Sequence, residues 1–114
     1  MFIRSVRYFG GIHAGDVEGE VVRLELSPSQ TQPYNLTNFT LKNDRGLNYT
    51  FPEGAIIHPN QPIFVHTKAG QNTQTNYYMN QSQAVWSDRG DCARLIRPNG
   101  RSMFQFTYMK YSCN

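Results

Sequence analysis

The sequence lacks any apolar run approaching the ~20 residues that a membrane-spanning helix needs. Its first seven residues, Met1 to Arg7, carry no hydrophobic region, so no signal peptide is expected. Charge is scarce, at 17% Asp, Glu, Lys and Arg, and the net charge is only +3. A dedicated nucleic-acid domain clusters many more cations on one face. Sustained helical spacing of apolar residues is also missing. Residues 77–86 come nearest, but they are few and rich in Asn and Gln. The three histidines, His13, His58 and His66, are isolated, and no zinc spacing joins them. No nucleophile elbow, P-loop or dinucleotide motif appears. Glu20 and Asp91 are read as a strand entrance and a turn residue rather than a hydrolytic carboxylate pair. The expectation is a non-enzyme with no metal and no cofactor.

What is present points one way. The chain has 114 residues, 39% of them hydrophobic and 13% aromatic, the usual size of one domain with one core. Folding a chain of this size removes roughly two-thirds of its surface from water. Asn, Thr, Ser, Gln, Gly and Tyr dominate the polar positions, and these suit strands and tight turns. Short alternating runs recur, each bounded by turn residues, as in a β-sandwich or barrel. In residues 20–26, Val22, Leu24 and Leu26 share one face while Val21, Arg23 and Glu25 share the other. Phe39 and Leu41 point inward in the run over 36–42. Asn43-Asp44-Arg45-Gly46 fits a type I turn with Gly left-handed, so residues 47–51 return as a partner strand. Residues 3–9, 63–67, 93–96 and 103–111 are further strands, and Asn99-Gly100 marks the last hairpin. We expect one domain over residues 1–114.

Residues 68–82 are the least structured stretch, with Tyr77 and Tyr78 at the middle. A long loop of this kind either carries function or covers the end of the core. Cys92 and Cys113 belong to no metal-spaced group. Along an extended last strand they would lie about 23 Å apart, whereas a disulfide needs Cα atoms within about 7 Å. Two free thiols are expected unless the tail folds back, and free thiols lean towards a reducing, cytoplasmic setting. Asn-x-Ser/Thr triplets begin at Asn35, Asn38, Asn48 and Asn80. An Asn- and Thr-rich chain produces such triplets by chance, and they matter only in a secretory pathway.

Four segments, in order, resemble the lamin-tail domain. They are Glu20-Val21-Val22-Arg23-Leu24, Leu36-Thr37-Asn38-Phe39-Thr40-Leu41, and Phe51-Pro52-Glu53-Gly54 leading to His58-Pro59-Asn60. The fourth is Trp86-Ser87-Asp88-Arg89-Gly90-Asp91-Cys92-Ala93-Arg94-Leu95. Val21 stands where this family has an aromatic residue, Phe39 where Trp is common, and Asn38 where Gly is common. The resemblance covers about residues 5–111. It implies an all-β, immunoglobulin-like two-sheet sandwich of about seven to nine strands. It also implies a small stand-alone, prokaryotic member of the family. No heptad rod precedes the domain, and Cys113 is followed by Asn114 alone, so no prenylation signal is present.

The resemblance further implies a binding or scaffolding module with a protein partner, as a monomer or weak homo-oligomer. Two alternatives stand beside it: a nucleic-acid or phosphate-binding accessory domain, and an accessory module of an exported hydrolase or nuclease. Candidate contacts are Arg94, Arg97, Arg101 and Lys110 on or beside the last hairpin, with Tyr77 and Tyr78. The plainer reading of those cations is protection of an edge strand. A second route to binding is addition of a strand to an exposed edge.

Overall fold

A computed structural model of the chain describes residues 2–7, 17–87, 89–109 and 111–113. Strand β1 is Phe2–Arg7, and a single 3-10 turn follows at Val17–Gly19. Next come β2 (Val21–Glu25), β3 (Tyr34–Asn35), β4 (Thr40–Lys42) and β5 (Asn48–Thr50). The chain continues with β6 (Ile56–Ile57), β7 (Ile63–His66) and β8 (Asn76–Tyr78). It ends with β9 (Asp91–Ile96) and β10 (Ser102–Tyr108). The first sheet runs β1-β2-β7-β8 and the second β10-β9-β4-β5, while β3 and β6 form a small separate ribbon.

The alternation in sequence becomes the two-sided burial of each sheet. Val22 and Leu24 of β2 are fully buried, as are Ile63 and Val65 of β7. From the second sheet Leu41 and Leu95 meet them, joined by Leu36, Phe51 and Ile57. Each such side chain contributes about 1.5–3 kcal/mol by leaving water. Phe39 is buried, and Phe104, Phe106 and Tyr108 pack half-buried against the same core. Phe51 and Tyr77 meet edge-to-face with ring centroids 5.5 Å apart, which links the second sheet to the first on the β5–β8 side.

The hairpin between β4 and β5 forms as its residues dictate. Asn43 Oδ1 accepts from Arg45 N (3.0 Å) and Leu47 N (2.8 Å), and Gly46 takes φ +98°. Residues 68–82 differ from expectation. They hold β8, which pairs parallel to β7 with Val65 opposite Tyr77. The Asn and Gln content hid a strand only three residues long.

The two cysteines also differ. Cys92 and Cys113 form a disulfide, with Cα atoms 5.3 Å apart. The extended-strand argument fails because β10 stops at Tyr108. Met109 adopts φ +59°, and Tyr111 N donates back to Tyr108 O at 3.3 Å. That left-handed step reverses the chain and lays the tail beside the turn that precedes β9. Gly90 permits this: a Cβ there would stand 3.0 Å from the Tyr111 Cβ and 3.1 Å from the Tyr108 carbonyl. Its own φ of +116° also favours glycine.

Candidate functional site

At one end of the sandwich two buried acids tie the sheets together. Glu20 immediately precedes β2 and is fully buried. Its Oε1 accepts from Thr67 Oγ1 (3.0 Å) and Val85 N (2.9 Å), and its Oε2 from Trp86 N (3.3 Å). Asp91 opens β9 and is also fully buried. It accepts from Cys92 N (2.8 Å), Asn43 Nδ2 (3.1 Å), Asp44 N (3.2 Å) and Ser87 N (3.4 Å). Burial, reinforced by the Asp91 charge, pushes the Glu20 carboxyl above its ordinary value, against the pull of its three donors. Both carboxylates are taken up by donors of the protein's own backbone and side chains. The pair braces the fold. The sequence placed Glu20 at its strand entrance, whereas Asp91, read as a turn residue, is the first residue of β9; the burial of neither was legible.

The candidate binding residues fall into different environments. Arg94 is ion-paired with Asp44, whose side chain is almost fully buried. Tyr111 of the returning tail also hydrogen-bonds Asp44. Tyr77 is 5% exposed and belongs to the core. Tyr78 stacks on His66, centroids 4.7 Å apart, and Gly70 lies so close that a Cβ there would sit 2.5 Å from the ring. Arg97 and Arg101 flank the hairpin tip at Gly100, where φ is +89°; Arg101 is exposed and Arg97 half-exposed. Among the described residues these two have no acidic partner. Lys110 lies outside the described residues, as does His13. The structure therefore brings Arg97 and Arg101 together at one hairpin and places Arg94, Tyr77 and Tyr78 elsewhere.

The sheet edges show a sharper contrast. In β8 the outward-facing backbone groups belong to Asn76 and Tyr78, because Met79 N donates to His66 O across the β7 side (2.8 Å). The chain's own loop answers them. Asn76 N donates to Thr73 Oγ1 (3.1 Å), Thr73 N donates to Asn76 O (2.8 Å) and Tyr78 N donates to Asn72 Oδ1 (2.9 Å). Asn80 adds a longer bond to the Tyr78 carbonyl (3.4 Å). The loop over 68–82 is an edge guard.

Among the described residues strand β5 has no such guard. Phe51 N donates to Phe39 O (2.8 Å) and Asn43 N donates to Leu47 O (3.4 Å), so the hydrogen-bonded pairs with β4 fall on odd-numbered residues. By the antiparallel alternation, the N–H and C=O groups of Asn48 and Thr50 face away from β4. They have no backbone partner among the described residues, and both side chains are exposed. A cleft of about 370 Å³ opens at the start of this edge, lined by Arg45, Leu47, Asn48, Gln81 and Val85. The exposed Arg45 guanidinium has no ion pair among the described residues. Sequence reasoning named strand addition but not the strand. Edge position is a property of sheet order, and no local residue signal carries it.

This is a two-sheet sandwich with the bracing acids and turn glycines in the order the four sequence segments run. A family model, Lamin Tail Domain, matches residues 12–110. The chain belongs to the lamin-tail domain family. That family is an immunoglobulin-like, non-catalytic module, in keeping with the polar clusters described above, which are spent on the fold. No curated protein matches the chain. No helix among the described residues is long and apolar enough to cross a membrane.

Proposed function

We propose that this lamin-tail domain is a protein-binding module that captures an extended segment of its partner as a fifth strand beside β5. The observation that carries the reading is the difference between the two edges. One is closed by four bonds from its own loop, while the other leaves Asn48 and Thr50 to solvent. An added strand would gain backbone hydrogen bonds along β5 and would draw specificity from the adjoining cleft. Arg45 favours a partner segment with an acidic residue near that cleft.

Peptide selection against the purified domain tests this. Selected extended peptides should slow amide exchange at Asn48 and Thr50, and their binding should be lost in Thr50→Pro. Proline removes an N–H that faces outward, so the host sheet keeps its own bonds. Binders that map to residues 97–101 and survive Thr50→Pro would overturn it. Arg97 and Arg101, which have no acidic partner among the described residues, support a second reading, attachment to nucleic acid or another phosphate carrier. There, micromolar binding to random DNA with a steep salt slope is the expected signature.

A further inference from the structure

The four Asn-x-Ser/Thr triplets do not have equal structural explanations. Composition explains fewer of them than expected above: ten asparagines and fifteen serines and threonines in 114 residues yield about one such triplet by chance, against the four present. Asn35 is accounted for by a turn, since its Oδ1 accepts from Thr37 N (2.9 Å) and Thr37 Oγ1 (2.7 Å). Asn38 occupies a left-handed position at φ +66°, which Asn tolerates. Asn80 is likewise left-handed at φ +56°, and its Oδ1 accepts from Gly70 N (3.1 Å) in the β8 guard. Asn48 has no such reason. It lies in a strand, where Asn is disfavoured, at negative φ, exposed, with no side-chain hydrogen bond among the described residues. Thr50, the third member of its triplet, is exposed beside it.

The Cys92–Cys113 disulfide supplies a second, independent observation. Structural disulfides persist in oxidising compartments, the same setting in which this triplet is an acceptor.

We propose that Asn48 is an N-glycosylation site and that its glycan closes the β5 edge; the second half rests on the strand-addition reading. In the transfer, Asn48 Nδ2 attacks the anomeric carbon of a polyprenyl-diphosphate-linked oligosaccharide. The new N–C bond forms as the C–O bond to the diphosphate breaks. Nδ2 gives up one proton, and the polyprenyl diphosphate leaves with the electron pair. No oxidant or reductant is involved. The product places a hydrated, bulky chain at the mouth of the cleft and beside the outward amides of β5. The glycan thereby regulates strand capture: the glycosylated edge is closed, as Asn72 and Thr73 close the β8 edge, and the unglycosylated edge is open to a partner.

The test begins with the protein isolated from its natural source. Peptide-N-glycosidase treatment should lower the intact mass and leave Asp in place of Asn at position 48 alone. An unmodified Asn48, or occupancy at Asn38 or Asn80 with Asn48 bare, overturns the site. Asn48→Gln and Thr50→Ala, made in the same cells, should each abolish the modification, while Asn35→Gln should leave it. The second arm measures binding of a peptide selected on the unglycosylated domain. Asn48→Gln should bind it at least about tenfold more tightly than the glycosylated protein. Equal binding by both forms overturns the closure while the site stands. Binding by neither form removes the strand-addition reading and the closure with it, and again leaves the site decided by mass.

Discussion

Strands β5 and β8 lie on the same side of the sandwich, one in each sheet, and are treated in opposite ways. Each is three residues long and each buries one tyrosine-bearing face. They touch through the core: Phe51, just after β5, packs edge-to-face on Tyr77. Yet β8 is followed and preceded by Asn- and Thr-rich chain that bonds its outer groups, whereas β5 follows a tight hairpin with no residues to spare. The five residues between β4 and β5, closed on themselves by Asn43, leave none to fold back over the strand. The guarded edge is costly in chain length, and the open edge is the consequence of an economical turn.

The contrast can be broken most severely at Glu20. Its acceptors hold Thr67, Val85 and Trp86, the residues on either side of the β8 excursion. Glu20→Ala would orphan these buried donors, and the expected loss is about 3 kcal/mol or more. Amide exchange should accelerate at Met79 and Gln81 well before it does in the β4–β5 hairpin; uniform acceleration would contradict the anchoring role.

Cys113→Ser should cost about 3 kcal/mol by opening a loop whose ends are 21 residues apart. It should release the tail over Gly90 while leaving both outer edges as they are, which denaturant melts and exchange at Tyr111 would show. Gly70→Ala comes next, at about 1–3 kcal/mol, because its Cβ would fall 2.5 Å from the Tyr78 ring and push the guard outward.

Asn72→Ala removes the acceptor for Tyr78 N and should cost about 1 kcal/mol. Its more telling effect would be a second open edge, read as concentration-dependent self-association in sedimentation that the parent chain lacks. An unchanged sedimentation profile would show that Thr73 suffices.

The smallest effect is a pH dependence. Burial raises the Glu20 carboxyl in the folded state above its unfolded value. The stability it contributes is therefore present below the unfolded value and is lost as pH rises through the folded one. The melting temperature should climb on acidification from neutrality towards the ordinary carboxylate range. In Glu20→Gln, which retains an acceptor oxygen for Val85 N, that climb should flatten; an equal climb in both proteins would assign it elsewhere.

Most of the strands, the turns at Gly46 and Gly100, and a core containing Leu24, Phe39, Leu95 and Phe106 were legible from alternation and turn chemistry alone, while β3 and β8 were not. These are local patterns, and burial enforces them because a one-residue slip would turn each strand inside out. The family resemblance was legible for the same reason, since its segments are strand faces and turns. What sequence could not show is which strands end a sheet, that Tyr77 is core rather than surface, or that Arg94 is already neutralised by Asp44. The disulfide was missed because a single left-handed residue, Met109, overrode the reach of an extended strand.

The amino-acid order thus determined the pleated layers, their turns and their greasy interior, because each depends on neighbours a few positions apart. Only the tertiary structure decided that β8 is shielded, that β5 is bare and that the tail is pinned to β9. Those outcomes depend on groups brought together from distant parts of the chain, as when Asp91 meets Asn43 and Cys92 meets Cys113.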